Sequence, residues 1–375
     1  MWDIVVGKKI STLQGHSQSL IGIKTIPGTP QVITGDVSGI FKVWDTRTMT
    51  LVQTFSTPSS LNKKPQANTF ITTTAFKKKV IIGSDKVYFY DYEESREGNL
   101  SDSKSCINVI YNVVFNIFVS AHIDSIKVWD ATTGSLKNVF RDVAEAEISC
   151  IVFDERKRKL FIGDVDGKLY LINILNGVQM KYFSKHKDYI SSMTCFAAGK
   201  KFISGSWDGV VKVHDDESSD EKGQLLLEFS GGNMGGINSC NSVDFIEKLE
   251  NNKDKDSKNI SMAILAYGFD NGNVTLTNMK SISSEGTITE SRSIKLIKFM
   301  NKLPAIIVCD GGGGIHFWTL VPIKPKKLMK DIQEENKSIN ENNKREYFPV
   351  KCLSFQETTK RLVTGKILLI FKIIR

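Results

Sequence analysis

A short pattern recurs seven times along the chain: a turn rich in Gly and Asp, followed by a strand with alternating apolar residues. Its clearest copy spans 35–45 and ends in Trp44-Asp45. One position marks each copy, and its occupants are Trp44, Tyr90, Trp129, Ile172, His214, Thr277 and Trp318. They lie 46, 39, 43, 42, 63 and 41 residues apart. A period near 40–45 residues predicts a repeat architecture, in which each repeat adds its own part of the core.

Each repeat has the anatomy of four strands. In one repeat, 148–153 reads as an apolar first strand, 159–162 as a second and 178–183 as a more exposed fourth. The turn before the third strand suits a tight hairpin, because Gly and Asn accept positive φ. A single twisted sheet of four strands cannot cover both faces, whereas radially packed sheets bury both. We therefore predict an all-β fold, a β-propeller of seven to eight four-stranded blades.

Residues 1–375 are expected to form a single propeller interrupted by loop insertions. The longest gap, before Thr277, is explained by an insertion at 247–259 that is rich in Lys, Asp and Asn. Two further insertions span 57–68 and 93–105, and the last spans 323–345. The last insertion is either a contact arm with a short helix or a disordered segment.

Both ends of the chain read as parts of one blade. Trp2-Asp3 resembles the end of a third strand and 5–13 a fourth strand, while 350–355 and 361–365 read as first and second strands. The C-terminal strands could pair with 5–13 to complete one last blade from both ends, which gives eight blades; the alternative is seven blades and a stray eighth unit. The apolar segment 366–375 contains no turn. We expect it to be translated intron and the chain to be an incomplete gene model of a longer protein.

Several of these motifs resemble the WD-repeat (WD40) family. They are Gly15-His16, the Gly-x-x-x-Gly turn at 35–39, and the Trp-Asp pairs at 2–3, 44–45 and 129–130. In that family a His, a Ser or Thr, an Asp and the Trp form a hydrogen-bonded set that stiffens a blade. The resemblance thus implies structural roles for such residues.

The resemblance assigns that set unevenly among the blades. The first repeat offers His16, Thr34 and Trp44, but Ser38 stands where Asp is usual. Trp129 and Trp318 occupy the Trp position of two other blades. The closest match, with a histidine in the Trp position, is His186, Ser204, Asp208 and His214.

A narrower resemblance concerns the middle and the C-terminal part. The stretches 154–159, 203–208, 304–310 and 317–322 are similar to the EF-hand and WD-repeat proteins of motile cilia. This implies a non-enzymatic scaffold that mediates protein–protein interactions in a ciliary axoneme or cytoskeletal assembly, with a cytoplasmic, ciliary location. The alternative is a nuclear or ribosome-assembly protein that contacts RNA through basic loops, which the net charge of +9 permits. Against it, the basic groups are scattered along the chain.

No motif predicts an enzyme, a cofactor or a metal site. Gly311-Gly-Gly-Gly314 precedes a strand, whereas a phosphate-binding loop opens a helix. Asp164-Val-Asp-Gly167 is flanked by predicted strands and lacks the twelve-residue loop between helices that an EF-hand calcium site needs. The five histidines fall in separate repeats. We therefore expect other proteins as partners, and no small-molecule substrate.

The six cysteines are widely spaced and form no CxxC pair, so we expect buried free thiols in a reducing compartment. No apolar run approaches the 18 residues of a transmembrane helix, so no membrane partner is expected. The acidic segment 215–221 is expected to be a solvated loop, or else a docking site for a basic partner.

Overall fold

The computed structural model describes antiparallel β-strands throughout. The described residues are 1–3, 8–26, 28–56, 70–73, 79–83, 87–91, 96–100, 106–195, 201–217, 220–230, 240–249, 261–279, 281–290, 292–300, 305–312, 314–319, 326–327, 337–339, 345–347, 350–356 and 361–366. The first strands are β1 (Trp2–Asp3), β2 (Lys8–Lys9), β3 (Leu20–Thr25), β4 (Gln31–Asp36), β5 (Ile40–Asp45), β6 (Thr50–Ser56), β7 (Phe70–Thr73), β8 (Lys79–Gly83), β9 (Val87–Asp91), β10 (Arg96–Leu100), β11 (Cys106–Asn112), β12 (Ile117–His122), β13 (Ser125–Asp130) and β14 (Leu136–Arg141).

The remaining strands follow the same rhythm. They are β15 (Ile148–Phe153), β16 (Lys159–Asp164), β17 (Leu169–Asn173), β18 (Gln179–Tyr182), β19 (Ile190–Cys195), β20 (Lys201–Ser206), β21 (Val210–Asp215), β22 (Gln224–Ser230), β23 (Cys240–Leu249), β24 (Ser261–Phe269), β25 (Asn273–Asn278), β26 (Ser283–Thr289), β27 (Ile294–Met300), β28 (Ala305–Asp310), β29 (Ile315–Thr319), β30 (Lys326–Lys327), β31 (Lys337–Ile339), β32 (Arg345–Tyr347), β33 (Val350–Gln356) and β34 (Arg361–Lys366).

The strands divide between two compact units. The first unit comprises Met1–Asp142 and Glu346–Arg375, and the second comprises Val143–Arg345. Among the described strands, each unit holds four four-stranded sheets, and β31 and β32 pair as a small ribbon. In seven of the eight sheets the strands follow each other in chain order.

The eighth sheet, in the first unit, combines strands from both ends of the chain in the order β2-β1-β34-β33. Trp2 lies opposite Leu362, and Asp3 lies opposite Arg361. The sequence places the junction on 5–13, but the structure makes the short strand β1 the partner of β34, with β2 outside it. A third strand must lie beside a second strand in this blade topology, so the Trp2-Asp3 segment takes that place.

The all-β propeller with four-stranded blades is confirmed. Side chains are described along six of the eight sheets, and these six are the blades that the structure establishes, fewer than the seven to eight predicted. The sheet β7–β10 and the sheet that joins the two ends are defined by strand pairing.

The inner strands of each blade are buried and the fourth strand is exposed. Every residue of β12 is buried, whereas β14 in the same sheet is exposed or half-buried throughout. In the second unit, the sheet β19–β22 has a neighbouring sheet on each face, which explains why its inner strands read as continuous apolar runs. The apolar clusters accordingly lie between successive sheets, as with Phe161, Phe183 and Phe202 of the second unit.

A bulge recurs just before the marker position of the third strand. The register shifts there at Trp44 and Trp129, and equally at Ile172, His214 and Thr277, where the tryptophan is replaced. Bulges of this kind bend a strand and increase its twist. The backbone of the repeat is therefore kept even where the side chain that marks it is lost.

Three predicted loops are partly strands, and in the third, 323–345, the strands are β30 and β31. Residues 96–100 of the predicted loop 93–105 form β10. Its sequence is polar, as suits an outer strand, so the apolar pattern that predicts a strand is missing there. Strand β23 runs on to Leu249, into the predicted insertion 247–259. The whole of 57–68, most of 323–345 and the segment 367–375 lie outside the described residues. In the described part, no helix is long and apolar enough to cross a membrane.

A glycine in the second strand of a blade lets the next blade approach. A Cβ on Gly163 would lie 2.8 Å from Ile190 Cγ2, and one on Gly268 would lie 2.6 Å from Ile294 Cγ2. Ile190 and Ile294 begin the first strands of the following sheets. The spacing between these sheets therefore depends on the missing side chain.

We expect Gly268→Ala to destabilise the protein by about 1–3 kcal/mol, because the added methyl also lies 2.7 Å from Ile297 Cδ1 and overpacks the interface. Urea denaturation followed by circular dichroism measures the change. Gly311→Ala is the control, since the nearest heavy atom to its Cβ is 3.5 Å away. Equal effects of the two substitutions would contradict the packing argument.

Candidate functional site

The first blade holds a buried hydrogen-bonded network. His16 Nδ1 lies 2.6 Å from Asp36 Oδ2, and His16 Nε2 lies 2.7 Å from Thr34 Oγ1. Trp44 donates from Nε1 to the same Thr34 oxygen at 2.8 Å. Because a carboxylate only accepts, Nδ1 of His16 carries the proton of the bond to Asp36. The structure thus brings His16, Thr34 and Trp44 together, as the resemblance implies.

The carboxylate of this network comes from Asp36, which the sequence analysis missed. Asp36 ends β4 and is fully buried, and Ser38, which stands where Asp is usual, donates to Asp36 Oδ1 at 2.5 Å. The same oxygen accepts the backbone N–H of Ser38 and of Ile40. Burial opposes the charge, but the hydrogen bonds from His16 and Ser38 hold the pKa of Asp36 below its usual 3.8. Asp36 therefore joins the turn to the blade.

The same strand-end position carries an aspartate in two more blades. Asp164 ends β16 and accepts from Tyr170 Oη at 3.0 Å, while Asp310 ends β28 and lies 3.0 Å from His316 Nε2. Both also accept backbone N–H groups of the following turn. The signal in the sequence was a small residue followed by Asp, at 35–36, 163–164 and 309–310.

The second complete network lies in the blade β19–β22. His186 Nδ1 lies 3.2 Å from Asp208 Oδ2, His186 Nε2 lies 2.8 Å from Ser204 Oγ, and Ser204 Oγ lies 3.1 Å from His214 Nε2. Burial opposes the charge of Asp208, but the hydrogen bonds from His186 and from the backbone N–H groups of Lys187 and Val210 together lower its pKa to about 2. The predicted set is thus assembled, with the histidine where a tryptophan is usual.

His214 replaces the indole only in part. Its Nε2–H donates to Ser204 as an indole N–H would, and the ring stacks on Phe202 at 4.7 Å between centroids. Its second nitrogen, Nδ1, is buried without a hydrogen-bond partner. Burial, with the nearby charges of His186 and Lys212, lowers the pKa of His214 to about 3. The imidazole is therefore neutral in the folded protein.

Trp129 and Trp318 lie in smaller arrangements. Trp129 donates from Nε1 to Ser120 Oγ at 2.9 Å, and Ser120 Oγ lies 3.0 Å from His122 Nε2. Trp318 packs against the apolar cluster between the sheets β23–β26 and β27–β30. Hydrophobic contact is therefore the described contribution of Trp318.

An ion-paired cluster connects two neighbouring blades of the second unit. Asp216 is buried; its Oδ2 lies 2.5 Å from Lys159 Nζ and its Oδ1 lies 3.0 Å from Lys181 Nζ. Lys181 Nζ also donates to the backbone oxygen of Asp216 at 2.7 Å. The acidic segment 215–221 is therefore not simply a solvated loop. Its second residue is a buried counter-ion for the preceding blade.

The described cysteines are structural. Cys106, Cys150, Cys195, Cys240 and Cys309 are free thiols. Burial raises the pKa of the first four to about 12, so the nucleophilic thiolate is not formed near neutral pH. In the described residues, no group of three or more His, Cys, Asp or Glu side chains is placed to hold a metal ion.

Four-stranded blades and these His–Ser/Thr–Asp networks define a WD-repeat β-propeller. The family model described as "WD domain, G-beta repeat" matches residues 7–45 and 177–215. Those two ranges contain the two complete networks. These matches make the chain similar to WD40-family proteins, among them a cilia- and flagella-associated protein.

One relative is cilia- and flagella-associated protein 337 B of Tetrahymena thermophila. It is 28% identical over 331 residues, which cover 86% of this chain and 24% of that protein. The WD repeat-containing protein on Y chromosome of Drosophila grimshawi is 24% identical over 238 residues, covering 60% of this chain and 20% of that protein. The chain thus spans about a quarter or less of the length of these relatives.

The fold is also that of the computationally designed Ika8 protein. Its crystal structure aligns with a TM-score of 0.72 at 20% identity, covering 96% of this chain and 97% of that one. At this identity the likeness concerns the fold alone.

We expect Asp36→Ala to cost about 2–4 kcal/mol of folding free energy, because it leaves His16 and the turn N–H groups without their buried acceptor. Ser38→Ala is the matched control and removes one hydrogen bond, at a cost of about 0.5–1.5 kcal/mol. Chemical denaturation of the two variants measures both. A larger effect of Ser38→Ala than of Asp36→Ala would contradict the central place of Asp36 in the network.

Acid should destabilise the protein through His214. The unfolded chain binds a proton near pH 6.5, whereas the folded chain does so only near pH 3, so stability falls as the pH drops through this window. Between pH 7 and pH 5 we expect a loss of about 1–2 kcal/mol from this residue. Urea denaturation at both pH values measures this loss, which should be smaller in His214→Phe than in the wild type. Phe202→Leu, a destabilising change without a titrating group, should retain it; an unchanged slope in His214→Phe would refute the assignment.

Proposed function

We propose that this protein is a non-enzymatic scaffold that mediates protein–protein interactions in a ciliary axoneme or a related cytoskeletal assembly. The similarity to the Tetrahymena protein carries the proposal, because it extends over 86% of this chain and that relative is cilia- and flagella-associated. About three quarters of the relative's length lies outside the match, so the proposal does not extend to partners that bind that part.

The buried polar groups support a structural role. The carboxylates of Asp36, Asp164, Asp208 and Asp310 are occupied by backbone N–H groups and by side chains of their own blades. Catalytic acids and bases must instead reach a substrate in a cleft. These networks therefore stiffen blades, and binding is left to the loops and turns at their ends.

We further propose that all eight four-stranded sheets are blades and that residues 1–375 are one domain. The repeated strand order of the sheets supports this. So does the alignment with the designed protein, which extends over 96% of the chain.

The second candidate is a nuclear or ribosome-assembly protein that contacts RNA. A pocket of about 320 Å³ in the second unit favours it, since Arg156, Arg158 and Lys201 are among its lining residues. Glu155 and Glu217 line the same pocket, which weakens its attraction for phosphate. If RNA binds there, the logarithm of its affinity should fall linearly with the logarithm of the salt concentration.

One fractionation experiment separates the two candidates. With the endogenous gene tagged, we expect the protein to be enriched with tubulin in detergent-extracted axonemes, because an axonemal scaffold stays with its assembly. Cell bodies and a nucleolar marker serve as controls. A protein confined to the nucleus and released by ribonuclease would replace the ciliary proposal with the RNA-binding one.

A further inference from the structure

Trp207 is exposed at the turn between β20 and β21. It retains 45% of its surface, whereas Trp44 and Trp129 retain 3% and 2%. Its indole lies against the ring of Tyr189, with centroids 4.5 Å apart and an angle of 31° between the planes. Large aromatic side chains left on a surface in this way are frequent anchors of protein interfaces.

The aromatic pair is held by hydrogen bonds on both sides. Trp207 donates its backbone N–H to the Tyr189 oxygen at 3.0 Å, and Ser206 Oγ donates to the Asp188 oxygen at 2.9 Å. Asp208, the next residue, accepts the backbone N–H of Lys187 at 2.8 Å. Both rings therefore sit on turns that are fixed to the blade, and a partner that contacts them orders little additional chain.

Three exposed carboxylates lie on turns that adjoin the turns of this pair. Glu147, Asp166 and Asp188 are exposed, and in the described part of the chain none of them forms an ion pair with a lysine or arginine. The turns that carry them are contiguous: Val165 donates to the Glu147 oxygen, and a Cβ on Gly167 would lie 2.8 Å from the Asp188 oxygen.

The local charge opposes that of the whole chain. On these turns Glu145, Glu147, Asp166 and Asp188 outnumber the lysines Lys168, Lys185 and Lys187, and Lys168 is paired with Glu145, whereas the chain carries a net charge of +9. An acidic, aromatic face attracts cations and repels phosphate. It therefore does not suit RNA, and a basic ligand complements it.

We propose that the face formed by Trp207 and Tyr189, with the rim of Glu147, Asp166 and Asp188, binds an arginine-bearing basic segment of a partner protein. The planar guanidinium stacks on the exposed indole and pairs with the carboxylates at its edge. A lysine ammonium has no plane to stack and is more strongly hydrated. This inference rests on the proposed interaction function and specifies the chemistry of one partner.

Binding is tested by fluorescence anisotropy with a fluorescein-labelled peptide of alternating glycine and arginine. We expect Trp207→Ala to weaken its affinity about 5- to 10-fold, and Asp166→Asn or Asp188→Asn about 2- to 5-fold, with a loss on added salt. Matched peptides with lysine or glutamate in place of arginine should bind more weakly and not at all, respectively.

Glu155→Gln provides the control variant, because it changes an exposed carboxylate at the opposite end of β16 and should leave affinity unchanged. Melting temperatures verify that Trp207→Ala is folded. A readout on the unmodified protein is the tryptophan emission, which the unlabelled arginine peptide should shift in the wild type and not in Trp207→Phe.

Three results would overturn the inference: no binding of the arginine peptide, equal binding by Trp207→Ala, or equal binding of the glutamate peptide. Failure here is distinguishable from failure of the proposed function. If axonemal partners co-purify equally with the wild type and with Trp207→Ala, the scaffold proposal stands and this face is excluded as their contact. If the protein is absent from cilia while the arginine peptide still depends on Trp207, the face stands and the location falls.

Discussion

The packing of one four-stranded sheet on the next is the interaction on which the described structure depends. Burying apolar area yields roughly 25 cal/mol per Å², and the inner strands of a blade bury both faces. Close approach requires small residues at chosen points, as at Gly163, Gly205 and Gly268. The inner strands can then be apolar throughout, while the polar residues collect on the fourth strand and in the turns.

Polar networks add rigidity to this apolar frame in more than one way. The blades beginning at β3 and β19 each use a His, a hydroxyl and a carboxylate, but the carboxylate comes from the strand end at Asp36 and from the turn at Asp208. A turn can be tied to a sheet from either side, because what matters is a buried acceptor within reach of the turn N–H groups. The motif is therefore a geometry that several sequence patterns satisfy.

The repeat period and the marker positions were readable because they reflect backbone geometry, and the bulge before Ile172, His214 and Thr277 follows them even without tryptophan. Side-chain contacts between residues that are far apart in the chain could not be predicted from the sequence. Asp36 was missed because its partner His16 is 20 residues away. Asp216 looked like part of an acidic loop because Lys159, its counter-ion, precedes it by 57 residues. Exposure of Trp207 likewise depends on how its turn projects from the blade.

The cluster of Asp216, Lys159 and Lys181 has a consequence for how this sequence can vary. Removing one partner of a buried ion pair costs about 3–5 kcal/mol, whereas replacing the whole group by apolar residues can be neutral. Here one carboxylate pairs with two lysines of the preceding sheet, so its loss would leave two ammonium groups without their counter-ion. Relatives should therefore inherit the three residues as a set or replace them as a set. Substitutions at the boundary between these two blades would then occur together at all three positions.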